Sequence, residues 1–341
     1  MYNINKIDLL SLSLGEIRDI IDKLGLEKYR AEQIYSWIYK VNNFAEMSNI
    51  SSRHRDLLSE HFYIKNLEID KKLVASDGTI KYLFELGDGN KIESVYMRYK
   101  HGNSVCISTQ AGCRFNCAFC ASAIGGLARN LSPAEMLLQV INIARDTQTR
   151  VSNIVLMGIG EPLDNYDNAV KFIELAGSAL DISLRRISLS TCGLTDKINE
   201  LKLKKLPVTL SVSLHAPNDE LRSKIMPVNN KYKISGLLEA CKDYAEYTGR
   251  RVSFEYILIN NFNDSEQNAR ELASRVKNIL CHVNLIMLNK INKPGSDLSP
   301  PGRKKAEIFA QVLENSGINA TFRRRCGDQI SASCGQLRGG N

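Results

Sequence analysis

Three cysteines stand close together in the run Cys113-Arg114-Phe115-Asn116-Cys117-Ala118-Phe119-Cys120. Thiolates are the usual ligands of iron–sulfur clusters, normally one per iron. A C-x3-C-x2-C triplet can therefore hold three irons of a [4Fe-4S] cube and leave the fourth open to a substrate. A structural zinc site is the competing explanation. Zinc asks for four ligands in a closed tetrahedron, often as two separated C-x2-C pairs, and no partner pair accompanies this triplet. A second run, Leu156-Met157-Gly158-Ile159-Gly160-Glu161-Pro162, has glycines that let a ligand approach the backbone and a carboxylate that can accept from an ammonium group.

These residues need elements to position them, and the hydrophobic pattern supplies candidates. The first ~65 residues read as helical. Ser13 and Glu16 form a capping box before an apolar-periodic stretch over 17–24, and further helices are expected over 29–39 and 51–61. Trp37, the only tryptophan, is expected to pack in the core. An antiparallel meander follows over 71–75, 80–86 and 91–99, punctuated by Asp77-Gly78 and Asp88-Gly89. From residue 104 strands alternate with helices. Strands are expected over 105–108, 153–157, 186–190, 208–213, 252–257, 283–288 and 319–323. Helices are expected over 134–145, 168–180, 234–247, 265–276 and 303–313. A structureless loop is expected over 292–302.

Six or so β/α units predict an α/β fold, a parallel sheet closed or partly closed into a (β/α)6 barrel. It carries a small N-terminal helical domain and a short antiparallel β connection. The expected divisions are 1–65, 66–100, 101–325 and 326–341. Such sheets carry their chemistry at the carboxyl ends of the strands. The triplet follows the first strand, and Gly160-Glu161 the next. Ser190, the run Ser213-Leu214-His215, and Asn289 stand at later strand ends, converging on one mouth. Composition alone makes Cys106 and Cys334 small buried residues.

The bulk numbers fit an ordinary globular protein, with 341 residues, 43% hydrophobic and 24% charged. No apolar run approaches the ~20 residues that would span a bilayer, and the N-terminus lacks a secretory pattern, so no membrane partner and a cytoplasmic location are expected. Nine cysteines in a reducing compartment point to metal or catalytic use more than to disulfides. The net charge of +8 is concentrated in Arg185-Arg186, Lys202 with Lys204-Lys205, Arg250-Arg251 and Arg323-Arg324-Arg325. A nucleic-acid substrate fits that charge, as does plain surface solvation.

Beyond these readings, the chain resembles the RlmN family of radical S-adenosylmethionine (SAM) methyltransferases. The resemblance rests on Ile92-Glu93-Ser94, on Cys106-Ile107-Ser108-Thr109-Gln110, on the triplet continued to Gly126, and on Gly160-Glu161-Pro162-Leu163-Asp164-Asn165. Ser211 to Asn218 and Cys334-Gly335-Gln336-Leu337 complete it. It covers nearly the whole chain, including Tyr29-Arg30, Gln33 and Trp37.

The resemblance implies methylation of carbon 2 of an adenine in 23S ribosomal RNA, with transfer RNA as a second candidate substrate. It implies a [4Fe-4S] cluster on Cys113, Cys117 and Cys120 and two SAM molecules per turnover. SAM contacts would fall on Gly160, Glu161, Ser190, Ser213, Leu214, His215 and Asn289. Cys334 would accept a methyl group, a radical at that methyl would add to the adenine, and Cys106 would resolve the adduct, leaving a Cys106–Cys334 disulfide. Glu93 would accept the proton. A monomer served by an electron donor such as flavodoxin or ferredoxin is implied. Cys192, Cys241, Cys281 and Cys326 match no role. Competing classes are the sister family Cfr, which methylates carbon 8, a glycyl-radical activase, and a metal-bearing RNA-binding module.

Overall fold

The computed structural model describes residues 6–100, 102–291, 293 and 297–339. Three helices open it, α1 (Leu14–Lys23), α2 (Arg30–Ile38) and α3 (Ser52–His61), framed by the short parallel pair β1 (Ile7–Asp8) and β2 (Phe62–Tyr63). The capping box at α1 is formed. The Glu16 N–H donates to Ser13 Oγ at 3.3 Å, and the Ser13 N–H donates to Glu16 Oε2 at 2.7 Å. Ile17, Ile21, Ile34, Ile38 and Leu58 are buried in one hydrophobic core shared with the main body. Trp37 is partly buried against it, with its Nε1–H donating to Asn49.

The meander is β3 (Glu68–Val74), β4 (Ile80–Glu85) and β5 (Lys91–Tyr99), and it runs antiparallel into β6 (Gly102–Cys106). A small hairpin, β7 (Gln110–Gly112) with β8 (Leu127–Asn130), then brackets the cysteine triplet. The rest alternates as α4 (Pro133–Thr147), β9 (Val151–Leu156), α5 (Tyr166–Ala179), β10 (Ile187–Thr191), α6 (Thr195–Leu203) and β11 (Thr209–Ser213). Then come α7 (Asp219–Ile225), α8 (Ile234–Thr248), β12 (Val252–Leu258), α9 (Glu266–Val276), β13 (Cys281–Met287), α10 (Arg303–Asn315) and β14 (Ala320–Phe322).

One sheet holds ten of these strands in the order β14-β13-β12-β11-β10-β9-β6-β5-β4-β3. From β6 to β14 every neighbour is parallel, which gives six β/α units in an open, partial barrel, as the alternation predicts. Parallel strands covered by helices are buried on both faces, and every residue of β12 is buried. The opposite edge of the sheet, β3, is almost wholly exposed and carries Lys71 and Lys72, charges that discourage edge-to-edge pairing. The expected 292–302 loop lies partly outside the described residues; 297–302 has no regular structure. No helix among the described residues is long and apolar enough to cross a membrane.

Candidate active site at the barrel mouth

The cysteine loop is fixed at both ends by its hairpin. Gly112 (φ +81) crosses so close to Gly126 that a β-carbon there would lie 2.0 Å from the Gly126 carbonyl oxygen. Within the loop, the Ala118 N–H donates to Ile225 O at 2.9 Å, at the end of α7. On the other side, the Ala121 N–H donates to Gly335 O at 2.7 Å, and Ser122 Oγ donates to Leu337 O at 2.8 Å. Those last two bonds bring the segment carrying Cys334 against the triplet, across more than 200 residues of chain.

The Gly158–Pro162 turn is locked to the same hairpin. Gln110 receives the Glu161 N–H at 2.8 Å, while its own amide donates to Asn130 and Asp164 at 2.8 Å each. A β-carbon on Gly160 (φ +107) would sit 2.6 Å from Gln110 Cβ, so glycine is required there. Ser108, buried, donates to Glu93 O at 2.6 Å and accepts from the Ile159 N–H at 3.0 Å, tying this turn to β5.

A cavity of about 850 Å³ of empty, solvent-open space lies at this mouth. Cys113, Cys117, Cys120, Gly160, Glu161, Ser190, Ser213, His215 and Cys334 all face it. A second cavity of about 560 Å³ lies beside it, between β5, β6 and the C-terminal segment, lined by Cys106, Tyr99, Asn289 and Cys334 among others. Cys334, Arg323, Met157 and Ile286 line both. Cys334 thus stands on the wall that the two spaces share.

Two candidate residues line neither cavity, and Asn289 lines only the side one. Leu214 is buried and lines neither cavity; its backbone serves, the N–H donating to Glu255 O and the carbonyl accepting from Arg222. Asn289 faces only the side cavity, where its amide donates to Cys334 O at 3.0 Å, holding the cysteine rather than the main cavity. Glu93 lines neither cavity. Its Oε2 accepts from the N–H groups of Arg338 (2.7 Å) and Gly339 (3.4 Å), and Lys81 pairs with Oε1 at 3.0 Å.

The electrostatics follow from burial. Desolvation pushes the thiols of Cys113 and Cys106 up to about 12, and Cys117 higher still, with Cys120 and then Cys113 adding to the rise at Cys117. Such thiols stay protonated near neutral pH, and at Cys113 and Cys117 a bound cation would displace the proton. Cys113, Cys117 and Cys120 line one cavity, a set of soft sulfur donors whose chemistry fits an iron–sulfur cluster. Glu161 is buried and its pKa is raised by that burial, while the N–H groups of Leu163 and Cys192 donate to its two oxygens. His215 is depressed to about 3 by burial and then by Arg222. Its Nδ1 accepts from the Ile257 N–H at 3.0 Å, which leaves a neutral ring with Nε2–H as donor.

Several site residues escape the sequence. Glu255 and Arg323 form a pair at 3.4 Å on the main cavity wall, with Arg323 also donating to Met157 Sδ at 3.1 Å. A lone carboxylate inside the apolar run of β12 was the available signal for Glu255. Cys192 lines the main cavity and Cys326 the side cavity, although neither matches a family role. The expected Cys106–Cys334 disulfide is not formed, since all nine cysteines are free thiols.

Residues 107–273 match the radical SAM superfamily, and residues 7–64 match the ribosomal RNA large subunit methyltransferase N-terminal domain. The "Probable dual-specificity RNA methyltransferase RlmN" of Desulforamulus reducens is 50% identical, covering 98% of this chain and 97% of its own. The protein of that name from Alkaliphilus oremlandii is 50% identical over 98% of each chain. A crystal structure of a radical SAM methyltransferase from Sphaerobacter thermophilus matches with a TM-score of 0.92 at 40% identity, over 98% of this chain and 100% of that one. With both its catalytic body and its N-terminal helices matched, the chain belongs to the RlmN family of radical SAM RNA methyltransferases.

Proposed function

We propose that this enzyme methylates carbon 2 of an adenine in 23S ribosomal RNA, with a transfer RNA adenine as a second substrate, through a methyl group carried on Cys334. The observation that carries the proposal is the place of Cys334 on the wall between the cysteine-triplet cavity and the cavity of Cys106. Cys113, Cys117 and Cys120 would hold the [4Fe-4S] cluster. With SAM, that cluster supplies a 5′-deoxyadenosyl radical.

The protein's own residues do the rest. Gly160, Glu161, Ser190, Ser213 and His215 line the space for SAM, with Leu214 acting through its backbone. The Cys334 thiolate attacks the methyl carbon of one SAM, taking the methyl and expelling S-adenosylhomocysteine, and Asn289 holds the cysteine's carbonyl in place. After that methyl gives a hydrogen atom to the 5′-deoxyadenosyl radical, its carbon adds to the adenine carbon, and the adduct radical must give up one electron, for which the oxidised cluster would be the acceptor. Glu93 takes the proton from the same carbon, and to do so it exchanges its bonds to the N–H groups of Arg338 and Gly339 for the substrate. Cys106, its proton passing to the departing methylene carbon, then attacks the Cys334 sulfur, which frees the methylated base and leaves a disulfide for a reductant to reopen. One-electron input comes from a small low-potential carrier such as flavodoxin or ferredoxin.

An adenine carbon inside a stacked, paired helix is out of reach, so protein-free ribosomal RNA is the expected substrate. The test is an anaerobic reaction of reconstituted enzyme, SAM, reductant and unmodified ribosomal RNA, with nucleosides read by mass spectrometry. 2-Methyladenosine is expected. 8-Methyladenosine would move the enzyme to the sister chemistry, and no methylated adenine alongside continued SAM cleavage would end the substrate assignment.

A further inference from the structure

The largest fully buried side chain among the described residues is charged. Arg222, on α7, has no exposed surface. Its guanidinium bonds are all to neutral acceptors. Nε donates to Leu214 O at 3.0 Å, Nη1 to Asn229 Oδ1 at 3.0 Å and to Tyr232 O at 3.4 Å, and Nη2 to Cys192 O at 2.6 Å and to Ser213 O at 3.0 Å. Among the described residues it makes no ion pair. Asp219, one turn back, turns its carboxylate to the Ile234 N–H instead.

A buried charge is costly unless an opposite charge is desolvated beside it. Here the acceptor at Nη1 is an amide, and a carboxylate at position 229 would have cancelled the charge with nearly the same shape. The amide's own Nδ2 donates to Asp219 O at 3.2 Å and Ser223 Oγ at 2.8 Å, and Arg222 is left uncancelled behind the wall of the main cavity. Cys192 and Ser213, whose carbonyls it grips, both line that cavity with Cys117. The helix that carries Arg222 also meets the cysteine loop directly, its Ile225 carbonyl accepting from the Ala118 N–H at 2.9 Å, next to the proposed cluster ligand Cys117.

We propose that Arg222 is the fixed counter-charge of the iron–sulfur cluster, a positioning residue whose unpaired cation favours the reduced, more negative form. The inference rests on the three-cysteine cluster of the proposed function. Taking up one electron adds one negative charge to a thiolate-ligated cube, and local charge and hydrogen bonding set cluster potentials. A unit charge roughly a nanometre away, at the effective dielectric of a protein interior, shifts a one-electron equilibrium by about tenfold.

The decisive variant is Asn229→Asp, which keeps Arg222, its carbonyl bonds and the acceptor at Nη1, and supplies the missing anion while giving up the Asn229 Nδ2 bonds to Asp219 O and Ser223 Oγ. Arg222→Lys keeps the charge and loses the fork; Arg222→Met loses both. Each is reconstituted with iron and sulfide, its iron content is measured, and the cluster is titrated electrochemically under electron paramagnetic resonance. Asn229→Asp and Arg222→Met are expected to lower the equilibrium constant for reduction about tenfold, or ~59 mV for one electron, at unchanged iron content. Arg222→Lys should stay within about threefold of the parent. A purely structural Arg222 predicts instead an Asn229→Asp protein of unchanged potential, and that result overturns the inference alone. Should Arg222→Met fail to fold, the aspartate variant still decides. A parent protein that assembles no cluster would sink the cluster assignment and this inference together.

Discussion

His215 gives the sharpest test of the site's electrostatics. The ring is 4% exposed, and burial, helped by Arg222, depresses its pKa from 6.5 to about 3. The folded protein therefore refuses a proton that the unfolded chain accepts. The sign follows directly. The stabilisation is complete above pH 6.5 and is lost progressively as the pH falls from 6.5 toward 3. Each pH unit below 6.5 is worth about 1.4 kcal/mol, so roughly 2 kcal/mol is lost by pH 5. His215→Asn removes the titration while keeping an acceptor near the Nδ1 position, and asparagine tolerates the left-handed backbone (φ +58) of this residue. Urea unfolding of the cluster-free parent and variant would be compared at about pH 7.5 and about pH 5. Packing lost in the variant counts equally at both pH values, and other titrating groups cancel between the proteins. The parent should lose about 2 kcal/mol more than the variant. Equal losses would mean that the ring is not held neutral, and the assignment of Nε2–H as a permanent donor into the cavity would fall.

Cys334→Ala should still cleave SAM to 5′-deoxyadenosine within about twofold of the parent while making no methylated RNA; a fully active variant would exclude methyl transfer through this thiol. Lys81→Met removes the cation from Glu93, whose side chain is only 8% exposed, and should cost about 3 kcal/mol, the low end for a broken buried pair because two N–H donors remain. Faster proteolytic trimming near Arg338 should accompany that loss, and an unaltered trimming rate would show that Glu93 does not tether the tail. Gly160→Ala forces an L side chain at φ +107 against Gln110, a strain of about 1–3 kcal/mol. SAM affinity of the reconstituted enzyme, read by equilibrium dialysis, should fall at least about tenfold, and parent-like binding would show that the turn does not shape the SAM space.

Much of the site is legible in the sequence because its chemistry is local. The triplet and the Gly158–Pro162 turn each declare themselves within a few residues, and strand ends converge once the β/α alternation is recognised. The capping boxes at Ser13 and Ser132 mark helix starts for the same reason. What escapes depends on distance along the chain. The β7–β8 hairpin has strands of three and four residues, with no alternation to betray it. Arg323 reads as one of three basic surface residues, and only the fold sets it against Glu255, 68 positions earlier. Asn289 reads as a ligand contact, yet its amide is spent on Cys334. Glu93 looks like a free carboxylate until the chain's last turns close over it. In each case a polar group is satisfied by a partner that no spacing rule reaches.

The single ten-stranded sheet has a consequence for how this protein can be dissected. The stretch that matches the radical SAM superfamily begins at Ile107, just past β6, and stops inside α9. Cut there, β9 would lose its neighbour β6, and β12 would lose β13, so two rows of main-chain amides buried in the native sheet would be laid bare. The recognisable catalytic stretch is thus an evolutionary unit but not an autonomous one. An excised 107–273 fragment should aggregate, and the shortest piece able to melt cooperatively should run from the meander through β14.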